Sequence, residues 1–131
     1  MIDPTPYLTC RYRFKPRNQN EHNCWTLVRQ VIKDSGRELK EFPFCPDQRD
    51  AIKNTFESEM KTGMGGMLNP IATGSALMPL DVIVTKRKIR WLLAFHAGVM
   101  IDNEHILHIT NESKSPIIDK IETVEGFTAW R

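Results

Sequence analysis

Five apolar residues, Cys24, Leu27, Val28, Val31 and Ile32, recur at i, i+3, i+4, i+7 and i+8. That spacing lays them along one side of an α-helix. A helix with such a side must bury it against another apolar surface, so the stripe dictates a layered domain whose second layer comes from elsewhere in the chain. Asn23 is a good N-cap and Ser35-Gly36 supplies a stop. Cys24 therefore falls in the first turn, where unpaired backbone N–H groups and the positive end of the helix dipole favour an anion and ease loss of the thiol proton. The same position equally suits a cysteine that is only a small apolar core residue.

The second layer is legible after Leu80, where the apolar period changes to that of strands. Asp81 to Thr85 is β-branched and short, the basic run Lys86 to Arg90 predicts a turn, and Trp91 to Ile101 reads as a long buried strand. Asp102-Asn103 predicts a turn that sends His105 to Ile109 back antiparallel, followed by a weaker strand at Ile117 to Ile121 and a last one at Phe127 to Trp130. Upstream, residues 1 to 23 form an irregular arm. Arg37 to Pro46, with two prolines around Phe42 and Phe44, is an extended connector. Asp47 caps a second helix, with its apolar edge at Ala51, Ile52, Thr55, Phe56, Glu59 and Met60, and it stops at Gly63. The glycine- and proline-punctuated stretch from Gly63 to Pro79 is a loop, and no GKS or GKT follows to make it a phosphate loop. Two helices ahead of a mainly antiparallel sheet is the α+β pattern.

The 131 residues suffice for one domain, 1–131, with a single real core; 40% apolar and 26% charged is ordinary for a globular chain. A net charge of +2 with Lys and Arg spread along the chain gives no reason to expect nucleic acid as a partner, the local exception being Tyr12 and Phe14 interleaved with Arg11, Arg13, Lys15 and Arg17. Cysteines at 10, 24 and 45, with no CxxC spacing, argue against a disulfide framework and a structural zinc site. No apolar run approaches membrane length, and the start, MIDPTPYLTCRYRF, lacks the apolar core of a signal peptide. The expectation is a protein with no membrane segment and no export signal.

The hairpin carries the chemistry. A turn centred on Asp102 sets His96 directly across from His108, with Ile106 and His108 on the helix-covered face and His105 and Leu107 on the other. A tight two-residue turn would instead send His108 to the opposite face. His105 then reads as a surface or packing histidine and His22, just outside the helix start, as solvated. A thiol at a helix start and two facing histidines are the parts of an activated-thiol catalyst: nucleophile, base and orienter of the base. Satisfied core histidines, or a Cys-His-His metal site, are the other readings of the same residues.

The strings NCWTLVRQV, PLDVIV and HAGVMIDNEHILHI resemble the NlpC-type cell-wall cysteine peptidases. These are papain-like enzymes whose pattern is Asp-Cys before an apolar helix, then Gly-Asp-Val-Val, then His-Val-Gly with a second His twelve residues on. The resemblance covers residues 12 to about 110. It implies Cys24 as nucleophile, His96 as base, His108 as the residue orienting His96, and Tyr12, twelve residues before Cys24, as an oxyanion donor beside the Cys24 backbone N–H. Asn23 and Trp25 stand where the family has an aspartate and a serine that help hold the amine of the stem peptide, and Leu80 stands where it has a glycine. Cys-Trp followed by Leu-Val-Arg looks most like short forms carried by tailed phages. The resemblance thus implies a peptidoglycan stem peptide as substrate, other phage tail-tip proteins as partners, a virion location with action in the cell wall or periplasm, and no metal or cofactor. A structural tail-tip protein with an idle or accessory site is the alternative from another class. An acyl-thiol transferase on a related fold is a third, although several of those place His before Cys.

Overall fold

The computed structural model describes residues 1–41, 57–89 and 92–131. The expected connector around Phe42 and Phe44, Cys45, the Asp47 cap, most of the second helix and Trp91 lie outside the described residues. Its end is visible as helical residues 57–61.

Helix α1 spans Cys24–Asp34 and is started by a capping box: Asn23 Oδ1 accepts from the backbone N–H groups of Trp25 (3.0 Å) and Thr26 (2.9 Å), while Thr26 Oγ1 accepts from Asn23 N–H (2.9 Å). The arm before it holds two short strands paired in parallel, β1 (Arg11–Tyr12) and β2 (Glu21–His22), and β2 runs straight into the cap. After the second helix, Gly63, Met64, Gly65 and Gly66 follow one another at φ 60, 54, 71 and 87, a single left-handed turn. Three glycines in four positions make it affordable, because an L side chain there crowds its own carbonyl.

Strands β3 (Val82–Ile89), β4 (Leu92–Met100), β5 (His105–His108), β6 (Ile117–Lys120) and β7 (Phe127–Trp130) form an antiparallel sheet in the order β6-β5-β4-β3-β7. β4 is central. The basic run expected to turn the chain instead continues β3, with Arg87 opposite Ala94 and Ile89 opposite Leu92. Pairing with β4 gives Lys86 to Ile89 ladder hydrogen bonds along one edge, and this outweighs the weak strand propensity of consecutive basic residues.

Each face of the sheet carries its own core. Cys24, Leu27, Val28, Val31 and Ile32 of α1 pack with Val82, Val84, Phe95, Ala97, Val99, Leu107 and Ile109. On the other face Ile83, Met100, Ile106 and Ala129 cluster with Ile71, Leu77, Val124 and Phe127. Trp25 is also fully buried, its Nε1–H donating to Lys40 O at 3.1 Å. At the entry to β3 the buried Asp81 carboxylate accepts from Met78 N–H (2.8 Å) and from Arg131 Nε (2.8 Å) and Nη2 (2.9 Å). Leu80, in the position where the resembled family has glycine, sits at φ 74. A branched side chain held there costs on the order of 1 kcal/mol. No helix among the described residues is long and apolar enough to cross a membrane.

His22, expected to be solvated, is buried, with Nδ1 and Thr26 Oγ1 3.1 Å apart. Pairing of β2 with β1 and the return of the chain into α1 cover it. Burial lowers its pKa, against weaker upward pulls from the Gln19 carbonyl and Asp34. The folded ring thus resists protonation that the unfolded ring accepts below about 6.5. Stability is therefore full above that pH and falls as pH drops from there through the lowered folded value. Urea midpoints between pH 7 and pH 5 should fall further in the wild type than in His22→Asn.

Candidate active site

Strand pairing sets where the histidines point. Val99 pairs with Leu107 and Met100 with Ile106, so the hairpin is centred on Asn103 and has three loop residues, Asp102, Asn103 and Glu104. Asp102 Oδ1 builds this loop by accepting from the backbone N–H groups of Glu104 and His105, both at 2.7 Å. The half-buried His105 ring adds a contact with Asp102 Oδ2 at 2.9 Å. An odd loop keeps His96 and His108 on one face, but the centre lies one residue beyond the expected Asp102. His108 consequently falls opposite Gly98 and meets His96 diagonally. The face is also the reverse of that expected: Leu107 and Ile109 pack under α1, whereas Ile106 and His108 look away from it. The second apolar cluster supplies the reason, since Ile106 fills it and Leu107 fills the α1 side, and a period of two then commits His108 with Ile106.

On that face three groups form a chain. His96 Nε2 and His108 Nδ1 are 2.8 Å apart, with ring centroids at 5.0 Å and an edge-on interplanar angle of 62°. His108 Nε2 lies 2.7 Å from Asp119 Oδ2 on β6. His96 is buried, the His108 side chain nearly so at 12% exposed, and Asp119 half open at 46%. The facing nitrogens of the two rings lie at hydrogen-bond distance from each other instead of converging on a third point, as ligands of one metal would. Asp119 was not legible as a site residue: it stands in the weakest strand, beyond a loop whose length leaves the β5–β6 register open.

Gly98 makes the diagonal contact fit. A Cβ built there would stand 2.5 Å from Ile106 Cδ1, 2.8 Å from Ile106 Cγ1 and 3.2 Å from His108 Cβ.

A cleft of about 420 Å³ opens on the chain, its wall including Thr85, His96, Gly98, His108, Thr110 and Asp119. Cys24 lies outside that wall. It opens α1 as expected, fully buried, and α1 packs on β4. Tyr12 pairs with His22, two residues before Cys24, and its backbone N–H donates to Lys114 O at 2.7 Å. Asn23 borders a different cleft, of about 460 Å³, with His22, Thr26 and Arg29. Its amide is occupied by the cap and by Phe14 O (3.2 Å), and Trp25 is enclosed in the core, so both serve the start of α1 in this structure.

No family model and no curated protein sequence matches the chain. Among solved structures it is similar to NlpC2 from Trichomonas vaginalis, with a TM-score of 0.64 at 11% sequence identity. The match covers 97% of this chain and 42% of that one, so the chain spans well under half the length of this neighbour. The likeness is one of fold: a mixed helix and antiparallel-sheet architecture of NlpC type.

Gly98→Ala should loosen this site from beneath. We expect a loss of about 1–3 kcal/mol in urea unfolding, with disruption of the His96–His108 hydrogen bond visible in the ring 15N signals. Ile106→Val in the same chain, by removing the nearest clashing methyl, should recover part of both.

Proposed function

We propose that the chain is a cysteine peptidase that hydrolyses an amide bond in the stem peptide of peptidoglycan, by the resemblance the bond after γ-D-glutamate. The observation carrying this reading is the hydrogen-bonded chain from His96 through His108 to Asp119 on an NlpC-like fold, with Cys24 opening the helix that packs on the same strand. For the reaction, Cys24 Sγ has to reach His96 Nδ1 from the α1 side of β4, past the strand whose other face His96 shares with His108; His96 then takes the Cys24 proton, and the thiolate attacks the carbonyl carbon. The oxyanion is held by the Cys24 backbone N–H and the Tyr12 hydroxyl, and the leaving amine departs with the proton from His96. Water activated by His96 then cleaves the thioester, releasing the acid and restoring the thiol. These steps call on neither metal nor cofactor. Asn23 and Trp25 shape the start of α1 and thereby the attitude of the thiol. Attachment to a phage tail tip would deliver such an enzyme to the cell wall.

A second reading has one observation in its favour. Cys24 has no exposed surface, which suits an assembly module of a tail tip with an idle site better than an enzyme acting on a polymer.

Alkylation separates the two. With iodoacetamide at pH 6 followed by peptide mapping, Cys24 should label fast and Cys10 slowly, because burial pushes the Cys10 thiol up while a helix start and a histidine favour the Cys24 thiolate. Labelling of Cys24 no faster than Cys10 would favour the assembly reading.

Turnover of purified muropeptides gives the chemical test, read by the mass of the products. Cys24→Ser and His96→Ala should abolish cleavage. His108→Ala should lower kcat by about a hundredfold, since an orienter sets tautomer and geometry but does not itself carry the proton. Equal and total loss in both histidine variants would assign His108 more than orientation.

A further inference from the structure

We infer that Asp119 is a positioning residue that fixes the direction of the proton chain, holding both histidines in the one tautomer that leaves His96 able to act as a base. The inference deepens the peptidase reading and rests on it for its catalytic consequence, but its physical content is independent.

Each neutral imidazole has one donor and one acceptor nitrogen, and the pair can be arranged in two directions. In the first, His108 Nε2–H donates to Asp119 Oδ2 across 2.7 Å. His108 Nδ1 is then the acceptor, and His96 Nε2–H donates to it across 2.8 Å. The lone pair of His96 is left on Nδ1. In the second, His108 Nδ1–H donates to His96 Nε2, and His96 carries its proton on Nδ1. A neutral His96 in that form has no free base to offer a thiol.

Only the first arrangement satisfies Asp119. An ionised carboxylate accepts and cannot donate, so the second arrangement would set the lone pair of His108 Nε2 against a carboxylate oxygen at 2.7 Å. The first arrangement also survives the reaction unchanged: when His96 gains a proton at Nδ1, its Nε2–H continues to donate to His108. Nothing in the chain has to flip between the resting and charged states.

Strand register holds Asp119 in place. It pairs with Ile106, whose side chain shares its face with His108 two residues on, and β6 pairs along the whole of β5 from His105↔Lys120 to His108↔Ile117. Asp119 is half open to the cleft, so its contribution is to orientation more than to charge in a dry site.

The test uses the whole chain, with Asp119→Ala, Asp119→Leu and Asp119→Glu checked for fold by circular dichroism. Ring 15N NMR of His96 and His108 should show Nε2–H on both rings in the wild type and mixed tautomers in Asp119→Ala. Muropeptide turnover should drop about tenfold to a hundredfold in kcat with KM unchanged, and Asp119→Glu should restore part of it. Should Asp119→Ala fail to fold, Asp119→Leu, close in size and without an acceptor, carries the same measurements. Wild-type tautomers in a folded Asp119→Ala or Asp119→Leu would overturn the assignment and leave the peptidase reading intact. A wild-type chain that shows the tautomers but cleaves no muropeptide would remove the peptidase reading while sustaining the role of Asp119.

Discussion

Strand β4 has to serve two faces at once, and most of the molecule follows from how it does so. Its residues 95, 97 and 99 point into the core under α1, while His96, Gly98 and Met100 point the other way. A strand that is buried on both sides cannot slip by one residue without exchanging a packed apolar set for a polar one. The histidines inherit that rigidity. His96 is set as firmly as Phe95 and Ala97, because the same backbone places all three.

The Asp102 loop then decides whether a second histidine meets the first. Its carboxylate collects two backbone N–H groups and closes three residues into the turn, so β5 returns in the register that puts His108 beside His96. Gly98 leaves room for the meeting, and the cost of a glycine in mid-strand is the price of that close approach. Further along, β6 brings Asp119 to the outer nitrogen of His108. Three consecutive decisions of register thus build one hydrogen-bond chain from residues that are distant in sequence.

At the entry to β3, beside the end of β4, the chain accepts strain. Leu80 is held at φ 74, next to a buried carboxylate bridged by Arg131. Backbone bonds on either side, Leu80 N–H to Met100 O and Met100 N–H to Asp81 O, lock the entry of β3 against the end of β4. These bonds, worth about 1 kcal/mol each, offset the strain at Leu80.

The sequence by itself determined α1, its Asn23 cap, the position of Cys24 in the first turn, β7 to the residue, and the presence of His96 and His108 on antiparallel strands. All of these rest on local signals: a period of 3.6 or 2, and capping chemistry within a few residues. Tertiary structure decided what local signals leave open. Pairing carried the basic run Lys86 to Lys88 into β3, buried His22, centred the hairpin one residue later than Asp102, turned His108 away from α1 and delivered Asp119. The physical reason is that register and facing are set by cross-strand partners and by which apolar cluster must be filled, quantities that depend on residues far apart along the chain.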